Sequence, residues 1–228
     1  MISIVTIGTE SKQDMANATI PEWLKQRDVD FEIVVVTDNI TVPNDKRIRV
    51  IRPGTPFDFI KWYNLGFKEA KGDIIVITQI DMEVNHDHLL LNMSNKLKPG
   101  HMVSERFFKN DRRVSGIFCQ MLMLWKKDLL EVGGYHEGFC GLCAWEDNDL
   151  MSALMEHGVM LDLISFDEEY ATHHLWHPVN YDSPESKVLQ DKAKAVFESR
   201  FKRSLLQTYG RQYVIRKKYG DEIAKEML

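Results

Sequence analysis

Short runs of apolar and β-branched residues alternate with helical patterns through the first half of the sequence. Four runs have the length and composition of buried strands, and they are Ile2–Ile7, Phe31–Thr37, Arg47–Ile51 and Asp73–Gln79. Two segments between them, Ser11–Arg27 and Phe59–Ala70, have helical spacing, the first starting or kinking at Pro21. Strands separated by helices at this interval predict an α/β fold with a mostly parallel central sheet flanked by helices.

The second half of the sequence is less regular. Helical patterns cover His86–Lys98, Lys126–Val132 and Glu146–His157, and strand patterns cover Ile117–Trp125 and Val159–Phe166. From Pro184 onward the pattern is helical, with breaks near Gly210 and Gly220. We therefore predict an α/β domain over residues 1–180 and a helical C-terminal appendage over residues 181–228, packed on the domain or projecting from it.

Charge is unevenly distributed along the chain. The 228 residues carry 29 Lys and Arg against 34 Asp and Glu, and the net charge of −5 disfavours a generally basic nucleic-acid binder. From Ser186 to Leu228, however, 11 basic residues stand against 5 acidic ones. This basic segment is either a solvated helical face or a surface that docks to a membrane or a nucleic acid, and the sequence leaves these alternatives open.

The apolar runs and the number of cysteines indicate in which cellular compartment we expect the protein. Strongly apolar runs such as Ile33–Val36 and Ile74–Ile77 are far shorter than the ~20 residues of a membrane span. The sequence after Met1 lacks the basic region and the cleavage site of a signal peptide, and three cysteines are an odd number for a secreted disulfide scaffold. We therefore expect a cytoplasmic protein with reduced thiols.

Polar residues follow the predicted parallel strands at the ends where such sheets bind ligands. Thr6, Asp38 and Asp81 fall along this edge. The sequence lacks the phosphate-binding motifs of dinucleotide folds and of P-loop proteins, and it lacks the Gly-x-Ser-x-Gly elbow of α/β-hydrolases. Acidic and imidazole side chains remain as the groups able to carry chemistry.

Three groups of such side chains stand out. Gln79–Glu83 follows a buried strand, where carboxylates can hold Mg²⁺ or Mn²⁺ together with bound phosphates; solvated acids at a strand end are the alternative. Glu146–Asp149 begins a helix, and its acids are helix caps or include a general base. His173–His177 contains three histidines, which are surface residues or ligands of the same ion as Asp81.

Read in order, these segments resemble the family 2 glycosyltransferases with the GT-A fold, over about residues 1–178. Asp30–Asp38 is similar to that family's second strand, Tyr63–Asp73 to its RNxGxxxAxGD segment, and Gln79–Asp81 to its Asp-x-Asp metal motif. Gly133–Phe139 followed by Glu146–Leu150 resembles GGFDExF and EDxDL, a pattern also similar to the catalytic part of the β-1,4-galactosyltransferases. Gln79–Asn85 is similar to a segment of the polypeptide N-acetylgalactosaminyltransferases.

The resemblance implies a GT-A-type nucleotide-sugar-binding fold and a metal-dependent transfer of sugar from a donor, most often a UDP-sugar, to an acceptor hydroxyl. It implies Asp147 as the catalytic base and Glu146 as the group that binds or orients the acceptor. The acceptor is a saccharide, a glycolipid or another hydroxyl compound. The residues implied at the donor are Thr6, Thr9, Asp38, Asn64, Gln79 and Trp145, and those at the Mn²⁺ or Mg²⁺ ion are Asp81, His173 and His174.

The chain departs from the family pattern in three places. Tyr63 replaces the usual Arg, Gln79 replaces the first Asp of the metal motif, and Cys143-Ala144-Trp145 replaces the Trp-Gly-Gly before Glu-Asp. The uncharged Gln79 predicts weaker metal affinity, so a binding module that keeps the fold without turnover is a second hypothesis. A sugar-phosphate nucleotidyltransferase is a third, disfavoured because no glycine-rich loop follows the first strand. A base opposite the leaving group predicts inversion, and the N-acetylgalactosaminyltransferase likeness leaves retention open.

Overall fold

The computed structural model describes residues 1–105, 108–109, 112–113, 120–142, 144–164, 172–175 and 183–201. Its strands are β1 (Ile2–Gly8), β2 (Phe31–Thr37), β3 (Ile48–Ile51), β4 (Ile74–Thr78), β5 (Met82–Glu83), β6 (His101–Glu105), β7 (Phe108–Lys109), β8 (Arg112–Arg113), β9 (Met121–Trp125), β10 (Met160–Ile164) and β11 (His173–His174). Its α-helices are α1 (Gln13–Trp23), α2 (Phe59–Glu69), α3 (Leu89–Lys96), α4 (Lys126–Glu131), α5 (Glu146–Glu156) and α6 (Pro184–Arg200).

Seven strands form the central sheet in the order β10-β6-β9-β4-β1-β2-β3. The pairs β1–β2, β2–β3, β1–β4 and β6–β10 are parallel, and β9 is antiparallel to both of its neighbours. All strands except β9 therefore run in one direction. The predicted α/β fold with a mostly parallel sheet is confirmed.

Both faces of the sheet are covered, which explains why β1 and β2 are mainly apolar and buried along their whole length. Ile4 belongs to a core that includes Trp23 of α1 and Leu89 of α3. Val5, on the opposite face, belongs to a core that includes residues of α2 and α5. Gly66 brings α2 close to the sheet, because a Cβ there would lie 2.5 Å from Val5 Cγ1.

Most predicted elements are present, and the differences have local causes. The first helix begins at Gln13, and Pro21 lies in its last turn rather than at its start. β6 is absent from the predictions, since its sequence His-Met-Val-Ser-Glu has only two apolar residues to mark a strand. The predicted strand Ile117–Trp125 is seen from Met121, and its residues 117–119 lie outside the described residues.

A second sheet has the order β5-β11-β7-β8. Within it β5 and β11 are antiparallel, with His173 opposite Glu83 and His174 opposite Met82. β5 follows β4 after a turn of three residues. This sheet therefore brings the predicted histidine segment to the segment that carries Asp81.

The described part of the C-terminal appendage is α6. Ala193 and Phe197 of this helix are buried in the same core as α2 and α5. Residues 202–228, which hold most of the basic segment, lie outside the described residues, and the domain boundary near residue 180 stays a prediction. None of the helices in the described ranges combines the length and the apolar character that crossing a membrane requires.

Candidate active site

The carboxyl ends of β1, β2 and β4 lie at one edge of the central sheet, because these strands are parallel neighbours. Asp38 follows β2 directly and is exposed, with its Oδ1 accepting a hydrogen bond from Asn39 N at 2.8 Å. Asp81 lies three residues after the end of β4. The structure thus places two predicted acidic residues at the edge where open α/β sheets bind ligands.

Helix α1 holds the segment around Asp81 in place. The Thr19 hydroxyl donates a hydrogen bond to Ile80 O at 2.7 Å, and Trp23 Nε1 donates one to Met82 O at 3.2 Å. Asp81 lies between these two anchored carbonyl groups and is 3% exposed. Its backbone is therefore fixed on both sides by side chains of one helix.

The structure brings Asp81 and His174 together. Leu175 N donates a hydrogen bond to Asp81 O at 2.8 Å, which fixes the two segments beside each other. His174 Nε2 lies 3.7 Å from Asp81 Oδ2, and both side chains are 4% exposed. His173 is the neighbour of Glu83 in the strand pairing and is partly exposed. His174 therefore shares a buried polar centre with Asp81.

This centre has part of the donor set of a divalent metal site. A carboxylate oxygen and an imidazole nitrogen are ligands that such ions use, and 3.7 Å is too long for a direct hydrogen bond between them. In the described part of the chain, no group of three or more His, Cys, Asp or Glu side chains could hold a metal ion. The residues present fit a cation that obtains its other ligands from water and bound phosphate.

A lysine also contacts Asp81. Lys12 Nζ lies 3.2 Å from Asp81 Oδ2, and the Lys12 side chain is 27% exposed. Lys12 belongs to no motif and stands four residues beyond the end of β1, so sequence patterns do not identify it. The only available signal is its place after the first parallel strand.

The acidic pair Glu146–Asp147 begins α5, and topology places it at the same edge as Asp81. Strand β10 runs in the direction of β4, since β9 is antiparallel to both β4 and β6 and β10 is parallel to β6. Helix α5 ends at Glu156 and β10 begins at Met160. The end of α5 therefore lies near the start of β10, and its first residues lie toward the carboxyl ends of the strands.

Contacts through Tyr63 and Tyr135 connect the end of β4 with Asp147. The buried Tyr63 donates a hydrogen bond from its hydroxyl to Thr78 O, the last residue of β4, at 2.9 Å. The ring centroids of Tyr63 and Tyr135 are 5.6 Å apart. Tyr135 in turn donates a hydrogen bond to Asp147 Oδ1 at 2.9 Å. Asp147 is thus oriented from the end of the strand that leads to Asp81.

Asn64 positions Tyr135. Asn64 Nδ2 donates to Tyr135 O, and Tyr135 N donates to Asn64 Oδ1, both at 2.8 Å. Gly134 has φ +70°, and a Cβ there would collide with Asn64 Oδ1. Asn64, which the resemblance implies at the nucleotide-sugar donor, therefore connects α2 with the loop whose Tyr135 contacts Asp147.

Glu146 has an unusual protonation equilibrium. Burial, together with the charge of Asp147, raises the pKa of the Glu146 carboxyl group to about 8. At neutral pH Glu146 therefore carries a proton, while Asp147 accepts a hydrogen bond from Tyr135. Two adjacent carboxyl groups in different environments are typical of an acid and base pair.

This equilibrium predicts a pH-dependent effect of Glu146→Gln on stability. The folded protein holds the Glu146 proton up to about pH 8, whereas the unfolded chain loses it near pH 4.5, so ionisation lowers the wild-type free energy of unfolding as pH rises through this window. The amide does not titrate. In urea unfolding, Glu146→Gln should therefore gain stability relative to wild type from about pH 5 to about pH 9.

The exposed Glu156, at the other end of α5, supplies the matched control Glu156→Gln. Its free energy of unfolding should run parallel to that of wild type across the same pH range. Parallel curves for Glu146→Gln and wild type would contradict the raised pKa.

The other predicted donor residues have different surroundings. Thr6 is 4% exposed inside β1 and lines a small pocket with Gln79 and Thr19. Thr9 is partly buried, and its hydroxyl lies 2.9 Å from that of Ser11. Trp145 packs on Phe197 of α6, with ring centroids 5.2 Å apart. Of these residues, the structure gives Trp145 a packing role against α6.

Comparison with known proteins supports the fold. No protein-family model matches the sequence, and a search of curated protein sequences finds no match. Among solved structures, GalNAc-T7 with UDP, GalNAc and Mn²⁺ has a TM-score of 0.65 at 13% identity, over 87% of this chain and 47% of that protein. The fragment 1–349 of S. aureus TarS in complex with UDP-GlcNAc has a TM-score of 0.60 at 14% identity, over 78% of this chain and 59% of that fragment.

A mannosyltransferase, PcManGT from Pyrobaculum calidifontis with GDP-Man and Mn²⁺, has a TM-score of 0.61 at 14% identity, over 79% of this chain and 58% of that protein. The chain spans about half the length of these three structures. It has the fold of the GT-A glycosyltransferases, as the sequence resemblance implies.

Proposed function

We propose that the protein is a metal-dependent glycosyltransferase that moves a sugar from a nucleotide-sugar donor to an acceptor hydroxyl. The observation that carries this proposal is the buried Asp81–His174 pair at the carboxyl edge of a GT-A sheet. The three similar structures contain UDP, UDP-GlcNAc or GDP-Man, so both uridine and guanosine donors belong in the test.

The donor end of the proposed site has three parts. Asp38, exposed after β2, contacts the nucleotide base, with Thr9 nearby. Asp81 and His174 are the residues that would hold Mn²⁺ or Mg²⁺ at the diphosphate. When bound, such an ion stabilises the negative charge that develops on the leaving diphosphate.

The acceptor end uses the carboxyl pair of α5. Asp147 takes the proton of the acceptor hydroxyl as that oxygen bonds to the anomeric carbon and the bond to the diphosphate breaks. The Tyr135 hydrogen bond at 2.9 Å holds the Asp147 carboxylate in orientation. Glu146, protonated at neutral pH, donates a hydrogen bond to the acceptor. A direct displacement of this kind inverts the anomeric carbon.

The acceptor that fits this chemistry is a saccharide, a glycolipid or another hydroxyl compound. The basic segment from Ser186 onward could bring the protein to a membrane surface or a nucleic acid that carries the acceptor. A non-catalytic nucleotide-sugar-binding module is the alternative function. It is favoured by the uncharged Gln79 and by the Lys12 ammonium already paired with Asp81.

Donor hydrolysis tests the proposal without a known acceptor. Purified protein is incubated with a panel of UDP- and GDP-sugars, with Mn²⁺ or with a chelator, and released nucleotide is measured. We expect Mn²⁺-dependent release from one donor, and at least about a tenfold loss in Asp81→Asn because the cation loses its charged ligand. Asp28→Asn is the matched control, since Asp28 also pairs with a histidine, His88, but is 69% exposed.

Two other results of this experiment would distinguish the binding module from a failure of the nucleotide-sugar proposal. Nucleotide binding in calorimetry without release from any donor would favour the binding module. Absence of binding to both UDP and GDP in the presence of Mn²⁺ would overturn the nucleotide-sugar proposal.

A further inference from the structure

Lys12 occupies a position that the proposed mechanism does not use. Its ammonium group lies 3.2 Å from Asp81 Oδ2, the same oxygen that lies 3.7 Å from His174 Nε2. A lysine and a divalent cation are alternative partners for this carboxylate.

Charge balance at this centre argues against a permanent partnership of Lys12 and Asp81. The positive charge of Lys12 cancels the negative charge of Asp81, and Gln79 adds none. A divalent cation approaching these residues alone gains little attraction. A nucleotide diphosphate brings its own negative charges, which attract both the lysine and the cation. The centre is therefore suited to bind the cation and the diphosphate together.

The side chain of Lys12 can make this exchange. It is anchored in the backbone at the start of α1, whose Thr19 and Trp23 hold the Asp81 segment. Its 27% exposure places one side of the chain toward solvent, whereas the Asp81 side chain is 4% exposed. A lysine is a point charge on a flexible four-carbon stem with three donors, so it can move from a carboxylate oxygen to a phosphate oxygen without backbone change.

We infer that Lys12 is a donor-binding residue that pairs with Asp81 in the absence of donor and contacts the diphosphate when the nucleotide binds. This inference rests on the proposed function and adds to it a residue that selects diphosphate donors. In the bound state Lys12 would contact the diphosphate and Asp81 would be available to hold the cation.

The inference predicts opposite changes in two affinities. Lys12→Met should bind UDP or GDP about 10- to 100-fold more weakly in the absence of metal, because a charged hydrogen bond to phosphate is lost. The same variant should bind Mn²⁺ about fivefold or more tightly in the absence of nucleotide, because a competing positive charge is gone. Calorimetry measures the first affinity, and the electron paramagnetic resonance signal of free Mn²⁺ measures the second.

Two variants complete the experiment. Lys12→Arg should retain nucleotide affinity, since it keeps the charge. Lys25→Met removes an equivalent charge from a side chain that is 61% exposed and paired with Glu22 just after α1, and it should change neither affinity. Unchanged nucleotide affinity in Lys12→Met, or a loss of both affinities, would overturn the inference. If wild type itself binds neither UDP nor GDP in the presence of Mn²⁺, the proposed function fails instead.

Discussion

Asp147→Asn should lower the rate of sugar transfer by about 10²- to 10⁴-fold and leave nucleotide affinity within about twofold of wild type. The amide keeps the size of the side chain and can still accept the Tyr135 hydrogen bond, but it cannot take a proton from the acceptor. The loss should therefore appear in kcat rather than in donor KM. Transfer is measured with the donor found by hydrolysis and with an acceptor panel of saccharides and glycolipids.

Tyr135→Phe separates orientation from proton transfer. It removes the 2.9 Å hydrogen bond to Asp147 Oδ1 and leaves the carboxylate in place. We expect a loss of about tenfold, smaller than that of Asp147→Asn, because the base is present but less well held. Asp162→Asn in β10, paired with His101, is a control that should retain full activity. Full activity in Asp147→Asn would remove Asp147 from the mechanism.

The strands were predictable because burial on two faces leaves an unmistakable sequence pattern. Ile2–Gly8 and Phe31–Thr37 are buried at every residue, and apart from Ser3, Gly8 and Glu32 both consist of apolar or β-branched residues. β6 is buried at four of its five positions, yet it includes Ser104 and Glu105. Glu105 accepts hydrogen bonds from Thr172, a partner 67 residues away that no local pattern reveals.

The candidate site was predictable where it follows strand ends and not where it depends on contacts across the fold. Asp38 and Asp81 follow strands β2 and β4, so the sequence predicts both at the carboxyl edge of the sheet, whereas Asp147 is proposed only through the family resemblance. The choice of His174 within the histidine segment requires the β5–β11 register. To identify Lys12, one must know how the chain runs from the end of β1 to the start of α1, and sequence patterns do not supply this.

The structure shows which contacts are made by two residues that depart from the family pattern. Tyr63, in place of Arg, ties the end of β4 to Tyr135 through its hydroxyl and its ring. Trp145, in place of Gly, has φ +70° and packs against Phe197. Tyr63 reaches Asp147 of α5 through Tyr135, and Trp145 directly precedes α5. The substitutions therefore coincide with packing that holds Glu146 and Asp147, while the acids themselves are retained.

Helix α6 also contributes to stability through an ion pair between Arg200 and the buried Asp149. Arg200→Met should lower the free energy of unfolding by about 3 kcal/mol. Arg200 Nε lies 2.8 Å from Asp149 Oδ1, and the Asp149 side chain is 2% exposed. Removing the arginine leaves a buried carboxylate without its ion-pair partner. Urea unfolding measures the loss, and Lys194→Met on the same helix, from an exposed pair with Glu198, should cost less than about 0.5 kcal/mol.

The pH dependence of this loss identifies its cause. Burial raises the pKa of Asp149 while Arg200 lowers it, so without Arg200 the pKa rises further. A folded carboxyl group with a raised pKa loses stability as pH increases above the unfolded value of 3.8. Arg200→Met should therefore cost more at about pH 8 than at about pH 5. Asp149→Asn should recover part of the loss at about pH 8, whereas a pH-independent loss would indicate that Arg200 acts through packing on Phe201 alone.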